Sequence, residues 1–379
     1  MITFIKSSIS HPGGLEKAAI AIMKELCLSG APVTLLTTEM QDLPFHHPLL
    51  SIVSFPIWKP LSVVKILHFD HLCQQYLKTH PTPIVFSLDR NRYQTHIRAG
   101  NGVYPAFLAS RANHESFWKR ASFSINPLHR TILTMEKRAF EHPDLQQLFV
   151  NSHQVERDVL HYYHVEPSKI CVVHNGVAWK ELESHFNAWE TLRPQQAKKW
   201  GLDPHCYQIL FLGHNFRRKG LDRLLRGLAH LNDKNVQLSV VGHDKKTPLY
   251  QQLAERLGLK GRVFFFGPLR ETVAFFQIAD LLAIPSYYDP FANVTVEALG
   301  MGVPVLSSKE NGGHEILEEH MGQTLENADD VECVAQALRK AMHTPKTADR
   351  ADRIRKSIAH LDFGIQLKKI TEEILIKIN

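Results

Sequence analysis

Apolar positions along the 379-residue chain follow two periods in turn. Short β-rich runs (ITFIKSS, PVTLLTT, IVSFPI, PIVFSLD and LQQLFVNS) are separated by helical spacing near residues 13 to 29, 63 to 80, 127 to 141 and 153 to 163. In the second half QILFLGH, VQLSVVGH, RVFFFG, LLAIPS and PVLSS read as strands, with helices starting near Leu221, Pro248, Thr272 and Asn293. Leu221, Leu224, Leu225, Leu228 and Leu231 fall on one face of the first of these helices. Strand alternating with helix predicts an α/β fold of open, mostly parallel, doubly wound sheets. The length exceeds what one hydrophobic core usually supports, which predicts two domains, 1–180 and 181–362. The boundary falls after SKICVVHNGV, where the strand pattern gives way to a polar stretch. Beyond Asp329 the chain reads as wholly helical, and its last helix, 363–379, is expected to pack back on the first domain.

Composition narrows this picture only a little. Hydrophobic residues make up 44% and charged residues 22%, which fits an ordinary globular protein and argues against disorder or low complexity. A net charge of +6 favours anionic partners, either phosphorylated small molecules or an anionic membrane surface. No basic block is interleaved with a nucleic-acid reader motif, so nucleic acid is not expected as a partner. Cys27, Cys73, Cys171, Cys206 and Cys333 are scattered without paired spacing, which points to a reducing cytoplasm and no structural zinc. MITFIKSS reads as a first strand, not a signal peptide. No apolar run approaches the roughly 20 residues needed to span a bilayer.

Open parallel sheets bind ligands beyond the carboxyl ends of their strands, so two facing sheets imply one interdomain cleft lined by the loops that follow strands. Three loops carry candidate chemistry. In FLGHNFRRKGLDRLL, a buried strand runs through His214, Arg217, Arg218 and Lys219 into a helix. Those cations repel one another beside a helix end that is already positive, and a diphosphate would suit them; the plain alternative is a solvated basic turn. In YYDPFANVTVEALGMGVPV, Pro290 and Asn293 mark a helix start whose free N–H groups suit phosphate oxygens. Asp289 precedes Glu297 by eight positions, so the two carboxylates suit hydroxyls at different points of an extended ligand better than one shared bond. In SSISHPGGLEKAAIAI, Gly13 and Gly14 open a helix after the first strand, where missing side chains let backbone approach a ligand.

RRKGLDRLL, VVGHDKK, VFFFG, ADLLAIPSYYDPFANVTVEALGMGVPVLSS and VVHNGV, taken together, resemble the retaining glycosyltransferases of the large fourth family. RAGNGVY and YYDPFANVTVEAL resemble motifs of the bacterial members that extend the lipopolysaccharide core. The resemblance implies the GT-B fold, two facing Rossmann-like domains with an interdomain cleft and a helical C-terminus. It also implies a hexose, glucose foremost, moved from a uridine-linked nucleotide sugar. Arg218 and Lys219 match the basic pair on the donor diphosphate, and Gly13 and Gly14 the glycine loop over it. Glu297 matches the ribose-binding carboxylate, and Asp289 the first place of the family's Glu-x7-Glu pattern, near the sugar hydroxyls. Backbone from Phe291 through Ala292 and Asn293 to Val294 would face the phosphates. Cations replace a metal in such enzymes, so neither metal nor cofactor is expected.

Asn101, in RAGNGVYPAF, departs from the pattern, because the relatives usually carry Asp there. An amide cannot take a proton at neutral pH, so an orienting role is implied, with the departing phosphate oxygen accepting the acceptor's proton. His96 lies on the same segment as a candidate hydrogen-bonding group toward the acceptor, with a structural or simply exposed histidine as the plainer alternative. Tyr104, Phe107, Phe117, Trp118 and Phe123 lie in one segment together with Arg111, Lys119, Arg120, Arg130, Lys137 and Arg138. That mixture suits an anionic lipid headgroup region, and the resemblance implies a glycolipid or lipopolysaccharide-core acceptor and peripheral contact with the cytoplasmic face of an inner membrane. A helix with a buried aromatic face and a solvated basic one is the alternative. Two other functions share these features: a nucleotide-sugar epimerase, which would need an acid/base pair where Asn101 stands, and a donor-binding protein that has lost turnover.

Overall fold

The computed structural model describes residues 1–9, 14–39, 43–57, 62–115, 120, 122–123 and 125–376, with backbone alone at Leu15. The chain divides into two compact units: Met1–His174 with Gly364–Asn379, and Asn175–Phe363.

In the first unit seven parallel strands form one sheet, β1 (Ile2–Ile5), β2 (Val33–Thr37), β3 (Leu50–Ser54), β4 (Ile84–Ser87), β5 (His96–Arg98), β6 (Gln147–Val150) and β7 (Ile170–Val172). Their order is β3-β2-β1-β4-β5-β6-β7. Ile2, Phe4 and Ile5 are buried with Phe86 and Phe149, so the apolar runs of the sequence sit in the middle of the sheet, covered on both faces. β5 escaped the sequence reading. Three residues are too few to show a period, and the strand exists because β4 and β6 pair with it on either side, Phe86 beside His96 and Ile97 beside Leu148.

The second unit holds six parallel strands, β8 (Tyr207–Leu212), β9 (Val236–Val241), β10 (Val263–Gly267), β11 (Leu281–Ile284), β12 (Val305–Ser308) and β13 (Gly322–Leu325). They run in the order β10-β9-β8-β11-β12-β13. The helix Leu221–Leu231 returns from β8 to β9, and its five leucines are at most 8% exposed, as their spacing requires. Each such leucine contributes about 1.5–3 kcal/mol by leaving water. β13 was missed because GQTL has no apolar alternation; it is an edge strand that β12 pairs from Val305 to Ser308. The polar stretch after β7 is two helices, Trp179–Asn187 and Trp189–Lys199. Their tryptophans anchor them: Arg355 lies 3.9 Å from the Trp179 ring centre and the Lys346 ammonium 3.9 Å from that of Trp189.

Strand order decides where chemistry can sit. β9 and β10 add in turn on one side of β8, and β11 then pairs with the other side of β8, so the order of strand addition reverses between β8 and β11. Connections on opposite faces leave a crevice beyond the carboxyl ends of that pair. The register, Leu281 beside Ile209 and Leu282 beside Leu210, brings the loops after β8 and β11 out side by side. In the first unit the same reversal lies between β1 and β4.

Candidate donor site

The loop after β8, Gly213 to Gly220, is folded by its own backbone and by Asn215, which adopts φ 58°. Asn tolerates this left-handed conformation better than most residues. Its side chain accepts from the Arg218 N–H at 3.2 Å, and its carbonyl from Lys219 N–H at 3.2 Å. Asp244, from the loop after β9, accepts from Phe216 N–H at 2.8 Å. Glycine at 220 is obligatory. It stands at φ 79°, and a Cβ there would lie 1.9 Å from the Pro285 carbonyl oxygen. The loop after β8 and the loop after β11 therefore touch backbone to backbone at this point.

Arg218 and Lys219 do not point into bulk water. Lys219 Nζ lies 2.8 Å from Asp289 Oδ2 and Arg218 Nη2 3.6 Å from the same oxygen, with side-chain exposures of 9% for Lys219, 34% for Arg218 and 6% for Asp289. The crowded cations are thus answered by an internal carboxylate. Burial alone would raise the Asp289 carboxyl, but the Lys219 ammonium, the Arg218 guanidinium and the Phe291 N–H outweigh it and hold the group below its usual range. Tyr287 N–H donates to the Arg218 carbonyl at 2.8 Å, and Asp289 N–H to Glu310 at 2.8 Å, so the carboxylate's backbone is fixed from both sides.

The β11 loop enters the helix Asn293–Gly300, whose cap residue Ala292 provides no side-chain oxygen. Asn311 serves instead: its Oδ1 accepts from Ala292 N–H at 3.0 Å and Gly313 N–H at 3.1 Å, while its Nδ2 donates to Ser307 Oγ at 2.9 Å. Phe291, Ala292 and Val294 are buried, Asn293 and Glu297 half-buried. Asn293 Oδ1 accepts from Asn175 Nδ2 at 2.6 Å. Arg223 also escaped the sequence reading. Its guanidinium lies 3.5 Å from the Tyr287 ring centre and donates to Pro285 and Ser286 carbonyls at 3.1 and 2.8 Å, with Asp329 as its counter-ion at 2.7 Å. The only hint was an arginine between buried leucines in DRLL. One crevice therefore collects Arg218, Lys219, Asp289 and a helix start, a cationic rim around a buried anion. Such a rim can bind a diphosphate and stabilise charge that develops on it.

The remaining candidates lie on the first unit or outside the description. Asn101 is exposed on the loop after β5, and Arg120 is exposed. Gly14 begins the helix Gly14–Leu28; Gly13, Phe117, Trp118 and Lys119 lie outside the described residues. His96 is fully buried inside β5, 2.9 Å from Thr95 Oγ1, so it belongs to the sheet and not to an acceptor or membrane surface. Phe123 is also buried, with the Arg111 guanidinium 4.9 Å from its ring centre, which removes it from the proposed lipid-facing set.

Two family profiles match the sequence. Glycosyltransferase Family 4 covers residues 12–178 and Glycosyl transferases group 1 covers 192–357. The chain is a glycosyltransferase. Over 337 residues, 87% of this glycosyltransferase and 86% of the other protein, it is 26% identical to the lipopolysaccharide glucosyltransferase WaaG of Escherichia coli (strain K12). A D-inositol 3-phosphate glycosyltransferase of Corynebacterium aurimucosum is 30% identical over 187 residues, 47% of this chain and 43% of that one. Among solved structures, WaaG, a glycosyltransferase involved in lipopolysaccharide biosynthesis, superposes with a TM-score of 0.80 at 23% identity over 99% of both chains. Anabaena Alr3699/HepE in complex with UDP and glucose superposes at 0.67 and 20% identity, again over 99% of both. The fold of the glycosyltransferase is GT-B.

Proposed function

We propose that this enzyme moves a hexose, glucose in the first instance, from a uridine diphosphate sugar to a hydroxyl of a lipopolysaccharide-core or related glycolipid acceptor, with retention of anomeric configuration and without a metal. The observation that carries this reading is the cationic pair Arg218 and Lys219 held on Asp289 at the strand reversal of the second unit. Names of relatives support the sugar and the acceptor: WaaG is a lipopolysaccharide glucosyltransferase, and HepE binds UDP and glucose. In the proposed reaction the bond from C1 to the diphosphate oxygen breaks and the acceptor oxygen bonds C1 on the same face. The departing oxygen takes the acceptor's proton, a step that asks Asn101 only to orient the hydroxyl. Arg218 and Lys219 stabilise the charge building on the diphosphate, Asp289 meets the sugar hydroxyls, Glu297 the ribose, and backbone around Ala292 the phosphates.

A thermal-shift panel of nucleotide sugars tests the donor. The cognate donor at a hundred times its dissociation constant adds about 2.7 kcal/mol of stability, and NMR of the product should give the anomeric configuration of the donor. Equal shifts for all bases and sugars, or an inverted product, overturn the reading.

Exposed Arg120, Arg130, Lys137 and Arg138, together with Ile125 at 76% exposure, support contact with an anionic membrane surface. Among the described residues no helix is long and apolar enough to cross a membrane. Sedimentation with vesicles at low salt should give several-fold more binding to anionic than to neutral ones, falling as salt rises. Equal partitioning removes this part of the proposal.

A further inference from the structure

Asn101 sits on a turn that is pinned with unusual completeness for an exposed loop. Gly102, at φ 70°, returns its N–H to the Ala99 carbonyl at 3.0 Å, and Ala99 N–H donates to Phe149 at 2.8 Å. Side chains fix the carbonyls on either side of Asn101: Asn151 Nδ2 donates to Gly100 at 3.1 Å and Arg90 Nη2 to Gly102 at 3.4 Å. Arg90 is itself ion-paired through Nε to Glu136. The second oxygen of Glu136 accepts from Tyr104 N–H at 2.7 Å, at the start of the helix Tyr104–Asn113, and from Tyr163 Oη at 2.8 Å. Glu136 is 0% exposed and lies on the helix Pro127–Phe140, more than thirty residues from the loop it serves. One carboxylate therefore braces the segment that presents Asn101 on its carboxyl-terminal side, at the Gly102 carbonyl through the Arg90 guanidinium and at the Tyr104 amide directly.

We propose that Glu136 is a positioning residue for transfer, acting through Arg90 and Tyr104 to hold the Asn101 turn in its working geometry. The inference rests on the reading that Asn101 orients the acceptor hydroxyl. A carboxylate suits this post because every group facing it is a donor: guanidinium, amide N–H and phenol O–H. A glutamine there would turn its own NH2 group toward one of those donors, leaving a buried donor unsatisfied and Arg90 without its counter-charge. An invariantly aimed side chain is worth most where reacting atoms must meet within a few tenths of an ångström.

A mutant cycle decides it, with kcat measured at saturating donor and acceptor and nucleoside diphosphate affinity measured by calorimetry. Asn101→Ala should lower kcat at least tenfold. Glu136→Gln should lower kcat ten- to a hundredfold in the otherwise unaltered enzyme, with nucleotide affinity unchanged because that site is built from the second unit, and should lower it little further once Asn101 is alanine. Asp70→Asn is the control: Asp70 is likewise fully buried and likewise bonded to an arginine, Arg92, but touches no part of the turn, so its effect should simply multiply with that of Asn101→Ala. If Glu136→Gln multiplies with Asn101→Ala as the control does, Glu136 is structural and the inference falls. If Asn101→Ala leaves kcat unchanged, the role given to Asn101 falls first and the inference with it. Should Glu136→Gln fail to fold, Arg90→Lys, which keeps the charge but loses the reach to Gly102, is run through the same cycle and read by the same rule.

Discussion

Replacing Lys219 by alanine should weaken nucleoside diphosphate binding by about a hundredfold, the loss of one well-desolvated charge-assisted contact, and should cut transfer more deeply because the same ammonium faces the charge of the departing group. Calorimetry with UDP and steady-state rates measure the two effects. The substitution should also destabilise the fold. Asp289 is 4% exposed, and removing its nearer cation leaves a buried carboxylate with only the partly exposed Arg218 beside it, a change that costs about 3–5 kcal/mol in comparable pairs. The pH dependence gives the sign. In the parent enzyme the Asp289 carboxyl titrates below its unfolded value, so the stability it contributes is present above the ordinary carboxylate range and is lost as pH falls through its own lowered pKa. Without Lys219 burial prevails, the pKa moves above the unfolded value, and stability should rise as the solution is acidified from neutral. Urea titrations at two pH values separate the cases. Adding Asp289→Asn should restore most of the stability and none of the nucleotide binding; recovery of both would mean that Lys219 serves the fold alone.

Gly220→Ala should be among the most damaging small changes in the second unit. Alanine in a left-handed conformation costs about 1–2 kcal/mol by itself. The larger part is steric, since the new methyl group would stand 1.9 Å from the Pro285 carbonyl oxygen, and backbone cannot swing aside as a side chain can. Relief requires the loops after β8 and β11 to part, which separates Lys219 from Asp289 as well. A total above about 4 kcal/mol is expected, read as a shift of the urea midpoint, together with loss of the thermal shift that UDP gives the parent. A variant within 1 kcal/mol of the parent would show that the two loops are free to move apart.

Much of this was legible in the sequence for definite reasons. The leucine face of Leu221–Leu231 could be read because five buried side chains repeat a period, and the loops after β8 and β11 could be located because each lies between a strand pattern and a helix pattern. Strand β5 could not be read, since three residues carry no period and its neighbours define it. The same limit hid the bonds that aim the site. Asn311 caps a helix that begins eighteen residues earlier, and Glu136 reaches Arg90 across forty-six positions, separations at which one sequence gives no local signal. The cationic turn raised the right question, what anion it awaits, but the sequence alone did not reveal that Asp289 already stands against it.

The two places where the chain passes between the units are bonded to one another: Val177 N–H donates to Leu361 at 2.9 Å and Phe363 N–H to Val177 at 2.8 Å. Residues 364–379 then contribute Leu367, Ile370 and Ile374 to the buried interior of the first unit. On the ribosome, therefore, the second unit has its whole sequence available before the first does, and the amino-terminal sheet must wait for the final helix to emerge before its core is complete.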